Sequence, residues 1–281
     1  RIGKTGLNDS SCLMLEGSAG TDGNPIQIKL NGNTISGAKE IDSSYKWVDS
    51  GVNDEYYLVT TADGDPGFVS NGSIGTTRGH MIVDGQHYDY SSLDSRYPYI
   101  TLGTVGGLID KQWGYGDNNT LGFDTIYFRN IGGSPAQSFQ VAATTNTLRL
   151  KTQNSFWDWD LGGGQVIGSE QSCFSVDVDA GAGVYQSRIR NGFLAYAGVQ
   201  GVENVGSGII KLENILTYWT GHRGWNQTST VLGGGIITDH CSDYGSHLGA
   251  RMVGSNTSID MQNGIVSGNE AGGVHLVVNT V

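Results

Sequence analysis

The tetrapeptide Trp157-Asp158-Trp159-Asp160 sets two carboxylates two residues apart. On a β-strand, alternation puts both Asp on one face and both Trp on the other, with the carboxylates about 6.5–7 Å apart. That spacing is near the ~6.5–9.5 Å of inverting glycosidases, and a neighbouring Trp face suits a sugar ring. Asp158 and Asp160 are the candidate catalytic pair; the alternative is that the Trp residues close a core while the Asp residues are solvated. A second group gathers His240, Asp243, His247 and Arg251, with His222 further upstream. A His beside an Asp can serve as a general base near neutral pH, and His222 and His247 are also candidate ligand-binding residues. Surface His on polar turns is the alternative, and two His are too few for a metal site. Asp63 and Asp65 are a hint of calcium, without the remaining ligands of an EF-hand loop. Calcium is thus possible; no other cofactor is indicated.

These residues need a scaffold, and the last third of the chain supplies a period for one. Asn191, Asn214, Asp239 and Asn263 are each followed ten residues later by Gly: Gly201, Gly224, Gly249 and Gly273. Glycine is 45 of 281 residues, far above the ~7% of ordinary chains, so the glycine matches alone mean little. Three further columns fall in the same register. Ile189, Leu212, Ile237 and Met261 lie two before each Asn/Asp; Phe193, Leu216, Cys241 and Ile265 lie two after; Tyr196, Trp219, Tyr244 and then Gly268 lie five after. A period of about 24 residues suits a stacked coil of strands better than helical repeats, whose units run to about 33 or more. Period-two alternation puts Ile189, Phe193, Leu212 and Leu216 inward, and Arg188, Arg190, Lys211 and Glu213 outward. Stacked Asn amides can hydrogen-bond along the coil axis.

At these columns the sequence resembles the right-handed parallel β-helix proteins, the architecture of pectate-lyase-like enzymes and phage tailspikes. The resemblance covers roughly residues 150–281, within a β-helix domain expected over 146–281, and rests on architecture. It implies an all-β fold, a right-handed parallel β-helix, and an extracellular or surface setting in which rods often trimerise. Pectate-lyase-like enzymes commonly use Arg or Lys as base with carboxylates holding calcium. Here Arg188, Arg190 and Lys211 form a basic patch downstream of Asp177 and Asp179, but no carboxylate cluster of that family maps onto definite positions. Glu213 and Asp260 share the patch's columns and can simply pair with it.

Residues 45–145 leave the repeat. Tyr45–Val48, Glu55–Val59, His80–Val83 and Thr125–Phe128 read as strands between turn signals such as Asp63-Gly64-Asp65-Pro66-Gly67 and Val83-Asp84-Gly85. They suggest a small inserted β-sandwich or barrel. Residues 1–44, with Ile26–Asn33, form an N-terminal strand or an earlier rung. The chain starts at Arg1 without Met, as a processed product or a portion of something longer would, and the last rung runs to Val281, where an exposed end invites a partner.

Composition narrows the function classes. A net charge of −11 argues against nucleic acid or anionic lipid as partner. No apolar run approaches the ~18 residues of a membrane span. Three Cys show no zinc spacing; Cys241 reads as a buried thiol, and a Cys12–Cys173 bridge is open. Tyr196, Trp219 and Tyr244 make either an outward ladder of flat faces for pyranose rings or an internal stack. The first expectation is an extracellular, cell-surface or virion spike, fibre or adhesin that contacts glycans and forms a homo-oligomer or larger assembly. The alternatives are a polysaccharide depolymerase, hydrolase or lyase, and a filament subunit.

Overall fold

A computed structural model describes residues 13–16, 20–21, 23–41, 47–52, 54–59, 81–83, 86–90, 108, 110, 112–117, 123–129, 139–142, 146–151, 156–169, 171–177, 185–206, 208–228, 234–246, 248–253, 257–269 and 272–277. All regular elements among them are β-strands. Two sheets are wholly parallel and together form a β-solenoid. One stacks Leu13–Glu16, Asn146–Lys151, Ser172–Asp177, Gln200–Asn204, Arg223–Thr228, Leu248–Val253 and Gly272–Val277 in that order. The other stacks Ile26–Lys29, Trp157–Asp160, Tyr185–Ala195, Ile209–Tyr218, Gly234–Asp239 and Thr257–Gln262. Shorter strands such as Ser242–Tyr244 and Ile265–Ser267 continue that second sheet past a bend.

The strands within residues 13–36 pair in parallel with those of residues 146–167: Leu13 with Leu148, Ile26 with Trp157, Thr34 with Gln165. Between these two layers of the coil, residues 38–142 form a separate eight-stranded sheet that is antiparallel at all but one pairing. Its strands include Glu55–Val59, Gln112–Asp117 and Phe123–Arg129, and Phe128 is fully buried with Trp47 edge-on to it and Tyr56 stacked on it.

The solenoid core follows from alternation. Trp157, Trp159, Ile189, Ile210 and Leu212 from one sheet meet Leu148, Phe174, Val202, Trp225 and Ala250 from the other. Trp159 stands edge-on to Phe174 at 5.5 Å between ring centres. Both Trp of the Trp157–Asp160 strand are therefore core residues, as the alternation requires. The glycine column also holds: 201, 224, 249 and 273 fall between paired neighbours and superimpose on Cys173. A Cβ at Gly249 would sit 2.1 Å from Val266 Cγ1 and 2.5 Å from the Gly273 carbonyl oxygen, so the walls of the coil approach too closely there for any side chain. Gly249→Ala should cost about 1–3 kcal/mol through overpacking, read as a lower urea midpoint at unchanged slope. An unaltered midpoint would show that the walls can part freely.

Two features of the repeat differ from the sequence reading, and each has a backbone cause. Asn191, Asn214 and Asn263 adopt left-handed conformations with φ of 59°, 51° and 52°. A left-handed residue turns the chain and reverses the in–out alternation beyond it. Phe193, Leu216 and Ile265, expected inward, therefore face outward, with Phe193 39% and Ile265 64% exposed. Ile215, Leu194 and Cys241 fill the interior in their place. The third rung also slips by one residue. Leu212 pairs with Thr238 and Glu213 with Asp239, so His240 (φ 52°) takes the corner assigned to Asp239. Ile237 consequently lies between Lys211 and Asp260 on the outer face, out of the inward column.

Cys173 and Cys241 are buried free thiols, and burial pushes them up to about 12 and about 11. Cys173 is thus a free thiol here, while Cys12, the other half of the bridge left open by the sequence, lies outside the described residues. So do Asp63, Asp65, Asp179 and His247.

Candidate functional site: an aromatic face and its flanking groove

Beyond the first bend, the outward positions of the second sheet are Phe193, Leu216, Ser242 and Ile265 in one column and Tyr218, Tyr244 and Ser267 in the next, the latter continuing from the fully covered Ala195. One residue further the chain turns again through a second left-handed column: Tyr196 (φ 56°), Trp219 (φ 48°), Gly245 (φ 71°) and Gly268 (φ 66°). The slip of the third rung accounts for Tyr244, which pairs with Tyr218 and so stands beside Trp219's column.

These residues collect into one outer cluster. The Tyr196 ring lies 5.6 Å from Tyr218 and 5.8 Å from Trp219, Tyr218 lies 5.8 Å from Trp219, and Phe193 lies 6.5 Å from Tyr218. Trp219 is 39% and Tyr244 54% exposed. The two open possibilities for the aromatic column thus resolve outward for Trp219 and Tyr244, while Tyr196 is half-buried beneath them. Each exposed ring rests on a glycine of the next rung. A Cβ on Gly245 would meet Trp219 Cδ1 at 2.6 Å, and one on Gly268 would meet Tyr244 Cε2 at 2.6 Å. Burial raises the Tyr196 and Tyr218 hydroxyls, Tyr218 to about 12, so both stay protonated donors across the physiological range.

The backbone here is costly. Left-handed φ at an aromatic residue costs on the order of 1–2 kcal/mol, and such outliers gather at functional sites. Glycine occupies the same corner in the following rungs, which shows that the fold itself does not require a side chain there.

Beside the aromatic cluster, over the first bend, runs an open groove of about 470 Å³ bordered by Asn191, Asn214, His240, Phe193, Leu216 and Ser242. Its floor is a ladder of amides: Asn214 Nδ2 donates to Asn191 Oδ1 at 3.2 Å, and Asn191 Nδ2 donates to Asp160 Oδ1 at 3.0 Å. The ladder breaks at the third rung because His240 stands there; Asn263 Nδ2 donates instead to Asp239 Oδ1 at 3.0 Å.

The candidate catalytic pair sits on the flat sheet before the bend. Arg190 holds both carboxylates, with Nε 3.0 Å from Asp158 Oδ1 and Nη2 3.1 Å from Asp160 Oδ2. The Asn191 amide, with Arg190 and the Gly162 N–H, keeps the Asp160 carboxyl below the usual carboxylate range. Arg188 and Lys211 are similarly paired, both with Glu213. Burial alone would raise Glu213, but the hydrogen bonds from Lys211 and Arg188 outweigh it and hold it low. The outward charges thus form a cross-rung ion-pair ladder. Asp158 is only 7% exposed, so Arg190→Ala should cost about 1–3 kcal/mol by stranding it, seen as a lower urea midpoint. No change would mean that Asp158 can reach water.

Among the described residues, the remaining sequence candidates are not brought together. His222 is half-buried on a turn whose carbonyl accepts from Leu248 N at 2.6 Å. His240 pairs through Nδ1 with Asp239 at 2.8 Å. Asp243 points into the core, 1% exposed, in the interior column of Leu194, Thr217 and Val266, and among the described residues it bonds no His. Phe193 and Tyr218 are the cluster members that sequence reasoning missed. The signal for Tyr218 was its place two residues after Leu216 on a strand. Phe193 required knowledge of the bend at Asn191.

No protein-family model matches the sequence, and neither does any curated protein. Among solved structures the chain matches one described as the complex structure of XylC with xylose, at 9% identity and a TM-score of 0.40. The match covers 91% of this chain, which spans 63% of the length of that one. A likeness this distant leaves the site to be read from its own geometry. Among the described residues no helix is long and apolar enough to cross a membrane.

Proposed function

We propose that this chain is the β-solenoid portion of an extracellular spike, fibre or adhesin, and that it binds glycans on the aromatic outer face. One observation carries the reading: Tyr196 and Trp219 accept left-handed backbone, where the next rungs use glycine, to hold an outward cluster with Trp219 and Tyr244 exposed. Flat rings of this kind stack on the C–H faces of pyranoses, and a rigid parallel coil holds them at fixed spacing. The neighbouring amides supply polar partners for sugar hydroxyls.

The charge ladder supports binding over hydrolysis. An inverting hydrolase needs one carboxyl protonated as general acid. Asp160 is held ionised and shares one arginine with Asp158. Incubation with a panel of bacterial and algal polysaccharides, with and without calcium, should therefore release no reducing ends and no unsaturated product absorbing at ultraviolet wavelengths. Retention on immobilised polysaccharides from the same panel tests the binding itself. Cleavage abolished by Asp158→Asn would replace this reading with a depolymerase.

A further inference from the structure

The groove over the first bend has a composition that selects among glycans. Its polar groups are amides, an imidazole and a hydroxyl, and among the described residues no Lys or Arg lines it. The carboxylates bonded to the amide ladder are Asp160, which also pairs with Arg190, and Asp239, which also pairs with His240. The break in the amide ladder leaves valences open at one place. Asn214 Oδ1 would have accepted from an amide at the next rung, but His240 stands there and commits its Nδ1 to Asp239. The Asn214 oxygen, the exposed far edge of the His240 ring and the Ser242 hydroxyl thus border the groove together, with the exposed face of Phe193 alongside.

We infer that this groove is a subsite for an uncharged pyranose unit, at one end of a linear glycan that continues over Phe193 onto the Tyr218–Trp219 platform. The inference rests on the glycan-binding reading above and adds its orientation and its ligand class. A neutral sugar offers hydroxyl donors to Asn214 Oδ1 and acceptors to the imidazole, Ser242 and amide N–H groups, while its C–H face lies on Phe193. A uronate or sulfated unit would bring a negative charge into a groove whose described lining carries no Lys or Arg, the nearby Arg190 being already shared by Asp158 and Asp160. Phe193 joins the groove to the platform, its ring 6.5 Å from Tyr218. From Asn191 to Tyr196 the strand advances about 16 Å at ~3.3 Å per residue, the length of roughly three sugar units.

The test is calorimetric titration of the whole chain with neutral linear gluco-, manno-, galacto- and xylo-oligosaccharides of one to six units, alongside oligogalacturonides of matching length. The variants are Asn214→Gly, which removes the amide but keeps a residue that accepts positive φ, Ser242→Ala, and Trp219→Gly. A neutral series should tighten up to about three units and then level off, with the acidic series at least tenfold weaker. Asn214→Gly and Ser242→Ala should each lose roughly three- to tenfold, as removal of a net hydrogen bond does. Binding that needs Trp219 but is indifferent to both groove variants, or that favours the oligogalacturonides, overturns the subsite and leaves the aromatic platform standing. Absence of binding to every glycan overturns the platform as well.

Discussion

A Trp219→Gly, Tyr244→Ala variant will keep its fold and lose glycan affinity by roughly 30- to 150-fold. The loss follows from removing two exposed rings, each contributing about 1–1.5 kcal/mol of stacking. The fold survives for a reason particular to this site. Trp219 sits at φ 48°, and the equivalent corners in the next two rungs are Gly245 and Gly268. Glycine at 219 relieves backbone strain of about 1–2 kcal/mol, which offsets lost packing against Tyr196 and Tyr218. Tyr244 is more than half exposed, and its removal uncovers Gly268. Urea unfolding within ~1 kcal/mol of the parent, together with the affinity loss, would identify strain held for function. A large stability loss with unchanged binding would make the cluster a structural stack.

The second large effect concerns Asp243. Its carboxylate lies inside the coil between Thr217 and Val266, and Ser246 Oγ donates to Oδ1 at 2.9 Å while Oδ2 finds no partner. Burial pushes the group up to about 7, against a smaller opposing effect of the Ser246 hydrogen bond. An unfolded Asp ionises near ~3.9. Between those values the native state binds the extra proton, so this contribution to stability is complete below about pH 4 and is lost as pH rises towards 7. Three pKa units correspond to about 4 kcal/mol at most. Asp160, Glu213 and Asp239 are shifted down and act oppositely, losing their contribution as pH falls through the acid range. The difference between Asp243→Asn and the parent isolates the buried group. The variant should gain relative stability steadily from pH 4 to 7 and none beyond about 8. A parallel pair of pH profiles would place water on Asp243.

The period, the glycine column and the inward Trp157 and Trp159 were legible because each depends on spacing alone. Asp158 and Asp160 were placed correctly on one face for the same reason, yet their pairing with Arg190, thirty-odd residues away in sequence, depends on the next rung stacking across them. The outward course of Phe193, Leu216 and Ile265 was hidden because a left-handed residue reverses alternation, and Asn is allowed in that conformation without requiring it. The slip at His240 was hidden because Asp239 and His240 are both polar and adjacent, and only strand pairing distinguishes them. Asp243 looked like a surface partner for His because charge suggests solvent; its column, shared with Leu194 and Val266, says interior. The sheet of residues 38–142 joins strands far apart in sequence, an order that local turn signals do not encode.

The most direct test of glycan binding on the aromatic face is tryptophan fluorescence of the whole chain titrated with the neutral oligosaccharide series, parent against Trp219→Phe. Trp157, Trp159 and Trp225 are buried in the core, so a saturable change that disappears in Trp219→Phe while binding persists by calorimetry would put the sugar on Trp219. A change of equal size in both proteins, or saturable binding with Trp219 emission untouched, would contradict the account and move the glycan elsewhere.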